Sequence, residues 1–155
     1  MKRPINLKIN GRELEAWIDP DDLLLDVLRE KLNLTGARRG CETSYCGACS
    51  VILGGKLVHS CLVLAVSAQG QEITTIEGLA ENGKLHPLQE SFIKHGSFQC
   101  GYCTPGMILA AKALLDNNPH PAEEEIKRSL DGNLCRCTGY KKIIEAIAAA
   151  SEGRI

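Results

Sequence analysis

Aromatic side chains are scarce in this chain: phenylalanine, tyrosine and tryptophan make up only 4% of its 155 residues. Proteins that bind single-stranded nucleic acid stack the bases on such side chains. The formal net charge of −1 also leaves no basic excess to neutralise a phosphate backbone. These two shortages exclude nucleic acid from the expected partners.

Long hydrophobic runs are missing as well. No apolar stretch approaches the roughly 20 residues that a membrane-spanning helix needs. Residues 1–6 lead straight into an alternating pattern, without the apolar core of a secretory signal. We therefore expect a cytoplasmic protein without a membrane span, in a compartment that keeps thiols reduced. Hydrophobic residues still make up 44% of the chain, enough for one packed domain or two small ones.

Cysteine is frequent, but not frequent enough for a disulfide scaffold. Eight cysteines in 155 residues fall below the roughly 8–10% that is typical of such scaffolds. In a reducing compartment, metal binding is the better use for them. They form two sets with none left over: a first quartet of Cys41, Cys46, Cys49 and Cys61, and a second quartet of Cys100, Cys103, Cys135 and Cys137.

The first quartet has the spacing C-x4-C-x2-C with a distant fourth cysteine, which is the plant-type ferredoxin spacing for a [2Fe–2S] cluster. Gly40 and Gly47 lie in its loop, and their lack of a Cβ lets backbone N–H groups approach sulfur. A disulfide framework and a zinc site are the alternatives, and both rarely use this spacing. We predict a first [2Fe–2S] cluster at these four cysteines.

The second quartet consists of a C-x2-C pair and a C-x-C pair. Each pair stands just before a predicted helix N-terminus, where free N–H groups and the helix dipole favour negative charge. A C-x-C pair is poorly placed to form its own disulfide. A zinc site with four cysteine ligands is the serious rival. The iron–sulfur spacing of the first quartet in the same chain favours a second [2Fe–2S] cluster.

The N-terminal half has the pattern of a small mixed sheet. Alternating apolar residues and turn signals predict hairpins over residues 4–18 and 50–59, with a closing strand over 72–76. An apolar stripe predicts a helix over about 22–32, capped by the acidic residues before it. Two hairpins, one helix and a closing strand fit a β-grasp, ferredoxin-like domain, which we place at residues 1–76.

Strand patterns stop near residue 77, and helix signals replace them. Thr104 as N-cap and Pro105 at the first helical position open the longest predicted helix. Short helices that follow one another suggest a compact bundle. We therefore expect an α+β chain whose second domain, residues 77–155, is a four-helix bundle. The predicted helices run over 87–94, 104–116, 121–130 and 140–150.

Three motifs together resemble the small iron–sulfur subunit of the molybdenum hydroxylases. They are Gly40-Cys…Cys46-Gly-Ala-Cys49, Gln99-Cys-Gly-Tyr-Cys-Thr-Pro-Gly106 and Asn133-Leu-Cys-Arg-Cys-Thr-Gly-Tyr140. The family includes xanthine dehydrogenases, aldehyde oxidoreductases and carbon monoxide dehydrogenases. The resemblance spans nearly the whole chain. It implies one [2Fe–2S] cluster in a ferredoxin-like domain and one in a helical domain.

The resemblance also implies a contact with the molybdenum cofactor. Gln99 and Cys137 match the positions that approach the cofactor's pterin, and Cys137 is at the same time a ligand of the helical-domain cluster. From the sequence alone, the favoured interpretation of Gln99 is a polar residue that ends a loop. No catalytic residue is implied on this chain.

The resemblance further implies a multi-subunit enzyme. No flavin-binding or molybdopterin-binding domain follows in this sequence, so we expect a large molybdopterin subunit as a separate partner. The electrons then pass either to a medium FAD subunit or to an external acceptor. The expected complex is a heterotrimer or its dimer, in which this chain carries electrons. A free-standing two-cluster ferredoxin and a zinc-stabilised interaction module are the alternatives. Iron content and co-purification with a molybdenum protein separate the three.

Overall fold

The first hairpin forms where its sequence pattern predicts it. The structure is a computed structural model that describes residues 1–154. Strands β1 (Arg3–Ile9) and β2 (Arg12–Ile18) pair antiparallel. Asn10 and Gly11 both have positive φ, 51° and 74°, as the tight type I′ turn requires. The alternation turns one face inward, and its fully buried members are Ile5, Leu7, Ile9, Ala16 and Ile18.

The sheet is mixed and has five strands in the order β2-β1-β5-β3-β4. Strands β3 (Ser50–Leu53) and β4 (Lys56–His59) form the second predicted hairpin, and β5 (Glu72–Thr74) lies parallel to β1 between the two hairpins. The predicted closing strand is two residues too long, because the Thr75 N–H donates to the Asn10 side chain instead of to a strand. The observed fold is α+β.

The predicted helix over 22–32 is present but irregular. It begins as α1 (Leu24–Asp26) and widens into a π-helical turn over Val27–Lys31. The prediction that the acidic residues before it cap its start is wrong, because the N-cap residue is Leu23 and no side chain caps the helix. The Asp22 carboxylate accepts the Asp19 N–H at 2.8 Å and pairs with the ammonium of Lys31. Asp22 therefore ties the start of the helical segment to its end.

The second half contains the four expected helices. Cys103, and not Thr104, is the N-cap residue of the longest one. Ile155, the last residue of the expected helical domain, lies outside the described residues. The helices pack on one another around a core that contains Leu88, Phe92 and Ile126. They are α2 (Pro87–Lys94), α3 (Thr104–Asn117), α4 (Glu123–Ser129) and α5 (Lys141–Ser151).

The helices also pack against the sheet. Helix α3 contacts β3 and β4, and the β3 residue Ile52 belongs to the helical core, not to the core under the sheet. This packing brings the loop before β3 next to the N-terminus of α3. Among residues 1–154, no helix combines the length and the hydrophobicity needed to cross a bilayer.

Candidate metal centres

Strand register brings Cys61 to the cysteine loop. Residues 40–49, the first cysteine loop, end where β3 begins, and Cys61 follows the end of β4. Ser50 pairs with His59 in the hairpin, so Cys49, just before β3, lies opposite Ser60, just after β4. The Ser60 N–H and hydroxyl both donate to the Cys49 carbonyl oxygen, at 3.3 and 2.7 Å. Cys49 and Cys61 are therefore neighbours, and both are buried.

The first cysteine loop directs backbone donors at a single sulfur. Cys41 Sγ accepts N–H groups from Thr43, Tyr45 and Cys46, at 3.4, 3.3 and 3.3 Å. Hydrogen bonds from Thr43, and then from Cys46, lower the pKa of the Cys41 thiol to about 6. The loop needs left-handed backbone to do this, including φ of 65° at Ser44. Such an arrangement stabilises a thiolate, the form in which cysteine binds metal.

The buried thiol of Cys49, in the same loop, resists ionisation. Burial raises the pKa of Cys49 to about 11, and its neighbours Cys61 and Cys46 contribute to the shift. Within residues 1–154, no three Cys, His, Asp or Glu side chains lie close enough to surround a single metal ion. Cys49 and Cys61 form one close pair of thiols in this region. A dinuclear cluster, which takes two thiolates on each iron, fits such an arrangement.

The second quartet comes from two loops that precede helices. Cys100 and Cys103 lie before α3, while Cys135 and Cys137 lie in the loop before α5. The Sγ atoms of Cys100 and Cys137 are 3.4 Å apart, and the Cys135 thiol lies close enough to Cys103 to raise the pKa of its thiol. These contacts define an inner pair, Cys103 and Cys135, and an exposed outer pair, Cys100 and Cys137. The second quartet is therefore grouped in two pairs of thiols.

The inner pair contains one thiol that resists ionisation and one that favours it. Burial raises the pKa of Cys103 to about 12, and the adjacent Cys135 adds to this effect. Burial also opposes ionisation of Cys135, but the hydroxyl and N–H of Thr138 outweigh it and lower the pKa. The Thr138 hydroxyl lies 3.0 Å from the Cys135 sulfur. All eight cysteines are free thiols, so both quartets offer only sulfur donors, which suits iron–sulfur chemistry.

The structure brings the two predicted cofactor residues together at the outer pair. The Gln99 side-chain amide donates from Nε2 to the Cys137 carbonyl oxygen at 3.1 Å. Both residues are exposed. The second N–H and the carbonyl oxygen of that amide can still bond an external group. Gln99 and Cys137 thus form one accessible edge of the second quartet.

Tyr140 ends the third sequence motif, but the sequence did not indicate that its side chain holds the loop of the second quartet. Its backbone is left-handed, with φ of 67°. Its hydroxyl accepts the Cys135 N–H at 2.9 Å and donates to the Asn133 carbonyl oxygen at 2.9 Å. One phenol therefore closes the loop between Asn133 and α5. The only signal in the sequence was its place five residues after Cys135.

Sequence reasoning also missed a direct contact between the two cysteine-bearing regions. The Leu134 N–H donates to the Cys46 carbonyl oxygen at 2.9 Å. The buried Asn133 side chain donates from Nδ2 to the Gly47 carbonyl oxygen at 3.1 Å and lies 3.3 Å from the Ser50 hydroxyl. A Cβ on Gly47 would lie only 2.4 Å from that Asn133 nitrogen. The glycine is therefore required for the approach of the other loop.

Two family models match this chain. Residues 7–84 match the model described as "2Fe-2S iron-sulfur cluster binding domain". Residues 75–148 match the model described as "[2Fe-2S] binding domain". Each match contains one complete quartet.

Relatives and solved structures share most of the chain. The nicotinate dehydrogenase small FeS subunit of Eubacterium barkeri is 52% identical over 97% of this chain and 96% of its own. The aldehyde oxidoreductase of Megalodesulfovibrio gigas is 47% identical over 94% of this chain, which spans only 16% of that larger protein. The crystal structure of quinoline 2-oxidoreductase from Pseudomonas putida 86 contains a chain with 43% identity, a TM-score of 0.93 and 99% coverage of both chains.

Proposed function

Because this chain belongs to the small iron–sulfur subunits of the molybdenum hydroxylases, we propose that it is the electron-transfer subunit of a heteromeric molybdenum-dependent oxidoreductase. It takes electrons from a large molybdopterin-binding subunit, through two [2Fe–2S] clusters, to a flavin subunit or an external acceptor. It performs no substrate chemistry itself. The observation that carries this proposal is the direct contact between the two cysteine-bearing loops, which makes one continuous path.

We propose that each quartet supplies all four ligands of its cluster. The pairing of the thiols suggests that the inner pair and the outer pair of the second quartet serve different irons. A bound cluster supplies a centre that accepts and releases one electron at a time. The ligands are Cys41, Cys46, Cys49 and Cys61 for the first cluster, and Cys100, Cys103, Cys135 and Cys137 for the second.

The second quartet is proposed as the one nearer to the molybdenum cofactor. Its outer pair is exposed, and Gln99 holds the Cys137 carbonyl beside it. This edge offers an amide and a cysteine backbone to a pterin on the large subunit. From the second quartet, the Leu134 N–H and the Cys46 carbonyl oxygen provide a short hydrogen-bonded route to the first. The first cysteine loop then faces the acceptor, with Tyr45 77% exposed at its tip.

The wider assembly follows from the same proposal. We expect a heterotrimer, or a dimer of heterotrimers, with a large molybdopterin subunit and a medium FAD subunit. We propose a cytoplasmic location, since a reducing compartment keeps the eight thiols available for cluster assembly. The finer division of the chain is also proposed: a β-grasp domain at residues 1–76 and a four-helix bundle at 77–155. Substrate choice would reside in the large subunit.

The proposed order of electron transfer predicts a specific effect of Gln99→Ala. Loss of the amide removes the bond to Cys137 and a group that meets the pterin. Substrate should then reduce the second cluster about tenfold more slowly, while dithionite should reduce it at the normal rate. Rapid-freeze electron paramagnetic resonance of the purified complex measures both. Gln71→Ala is the matched control, because Gln71 also donates its amide to a backbone carbonyl, that of Ser67, in an exposed loop before β5.

Three results would contradict the proposal in different ways. If Gln99→Ala changed reduction of the first cluster and left the second unaffected, the proposed order would be wrong. If no molybdenum protein co-purified with this chain, the free-standing two-cluster ferredoxin would be the better description. Stoichiometric zinc in place of iron would instead support the zinc-stabilised module.

A further inference from the structure

Tyr102 connects the two cysteine-bearing regions at a second point. It lies between Cys100 and Cys103 in the loop before α3. Its hydroxyl donates to the carbonyl oxygen of Arg39, which directly precedes the first cysteine loop. The residues are 63 positions apart in the chain. Tyr102 is 45% exposed, so little of its position is explained by burial in a core.

The aromatic ring makes a further contact with the same segment. The guanidinium carbon of Arg38 lies 5.2 Å from the Tyr102 ring centroid, within the range of a cation–π interaction. The backbone of Arg38 is itself fixed, because its N–H donates to the Ala48 carbonyl oxygen at 2.9 Å. Arg39 pairs through its side chain with Glu42 and Asp26. Tyr102 therefore binds a segment that is held firmly to the first cysteine loop.

The two contact points have different geometry. One consists of the Leu134 N–H on the Cys46 carbonyl oxygen, with Asn133 beside it. The other consists of Tyr102 on Arg38 and Arg39. Helix α3 already packs the two halves together, and two separate hydrogen-bonded contacts between the cysteine-bearing loops restrict their relative motion more than one contact does. The second point arises from the C-x2-C loop, and the first arises from the C-x-C loop.

We infer that Tyr102 is a positioning residue that fixes the separation and orientation of the two metal centres, and thereby the rate of electron transfer between them. This inference rests on the proposed function, because it needs a cluster in each quartet. The hydroxyl is the essential group, since a phenylalanine at this position would keep the ring contact with Arg38 and lose the bond to Arg39. The role is local: Tyr102 does not need to touch a cluster, a substrate or a cofactor.

Hydrogen exchange in the cluster-loaded complex tests directly whether the contact of Tyr102 with Arg38 and Arg39 holds the two loops together. The Leu134 amide, bonded to the Cys46 carbonyl oxygen, is released when the loops separate. Losing one hydrogen bond shifts such an opening equilibrium by roughly three- to tenfold. Tyr102→Phe should therefore speed exchange at Leu134 by about that factor, and Tyr102→Leu should speed it further. The Asn10 amide, which donates to the Ile73 carbonyl oxygen at 2.8 Å in the sheet, should be unchanged and serves as the internal control.

A spectroscopic measurement separates positioning from general stability. With both clusters reduced by dithionite, the magnetic interaction between the two spins reports their separation. We expect the spectral splitting caused by this interaction to broaden in Tyr102→Phe, and the interaction itself to weaken in Tyr102→Leu. Tyr45→Phe, which removes a hydroxyl from the exposed tyrosine in the first cysteine loop, should match the wild type. Unchanged exchange at Leu134 and an unchanged spin interaction in Tyr102→Leu would overturn the inference. Absence of one cluster signal in the wild type would instead contradict the proposed function.

Discussion

Glycine positions decide how closely the two cysteine-bearing regions approach each other. Gly47 has φ of 66°, and a Cβ there would also lie 2.4 Å from the Gly132 carbonyl oxygen. A Cβ on Gly106, in the first turn of α3, would lie 2.4 Å from the Gly47 carbonyl oxygen. Backbone carbonyl groups, which cannot move aside as the end of a flexible side chain can, therefore limit the approach at this junction. The contact between Leu134 and Cys46 depends on this fit.

The first prediction concerns Gly47→Ala. Left-handed backbone costs a residue with a Cβ about 1–2 kcal/mol, and overpacking adds about 1–3 kcal/mol. We expect a loss of about 3 kcal/mol in the free energy of unfolding, together with reduced iron content. Gly55→Ala is the matched control, because Gly55 has φ of 79° and nothing within 4 Å of its Cβ position. Equal losses for the two variants, measured by denaturant titration, would show that backbone strain alone accounts for the effect.

At this scale, the division of the cysteines into two sets could be predicted from the sequence, and the contacts that support them could not. The spacing of the cysteines is a local pattern, and it indicates which thiols can share a cluster. The hydroxyls of Tyr102 and Tyr140 act on carbonyl oxygens of other segments. Neither contact leaves a periodicity or a spacing in the sequence. Gln99 was predicted from the family resemblance, and its bond to Cys137 came only from the structure.

Elements in this chain begin and end where tertiary contacts place them. The helical segment after β2 widens into a π turn, and Asp22 bonds Asp19 and Lys31 instead of capping it. Thr104 is the first residue of α3, and its buried hydroxyl lacks a partner among the described residues. Strands and hairpins were predicted well because their alternation and turn residues are local. Caps were predicted poorly because a competing partner elsewhere in the fold decides them.

The second prediction concerns the pair of Asp22 and Lys31. A hydrogen bond from Lys31, together with the Asp19 N–H, lowers the pKa of Asp22 despite some burial. The stabilisation is therefore present above the usual carboxyl pKa of about 3.9 and is lost as pH falls through the lowered value. Asp22→Asn should reduce the free energy of unfolding by about 1 kcal/mol at neutral pH. The difference should disappear in strong acid, and the exposed Asp21→Asn should show neither effect.

If Asp22→Asn still had a lower free energy of unfolding than the wild type in strong acid, this interpretation would be wrong. It would mean that the amide disturbs the turn at Asp19, because a lost charge cannot matter once the wild-type carboxyl is protonated. Denaturant titration over a series of pH values gives the answer.

The whole molecule has two cores that share one junction. Buried residues under the sheet form one hydrophobic cluster, and those among the helices form another. The cysteine-bearing loops meet through backbone groups and the Asn133 side chain. Each half can therefore keep its own packing when a single cysteine side chain changes. The junction itself persists as long as the backbone of the first cysteine loop stays in place.

The third prediction concerns Cys46→Ser. The substitution removes a ligand of the first cluster and keeps the carbonyl oxygen that Leu134 uses. We expect the signal of the first cluster to be lost or strongly altered, and that of the second cluster to persist. Electron paramagnetic resonance of the reduced protein distinguishes the two. Loss of both signals in folded protein would mean that the halves do not hold their clusters independently.

Iron content combined with electron paramagnetic resonance of the purified complex tests the central claim most directly. Two complete quartets on different scaffolds predict four irons per chain and no stoichiometric zinc. After reduction with dithionite, the spectrum should contain two distinct rhombic signals, each integrating to one spin per chain, as expected for two [2Fe–2S] centres. A single signal of one spin per chain, with two irons and one zinc, would contradict the claim that the second quartet holds an iron–sulfur cluster.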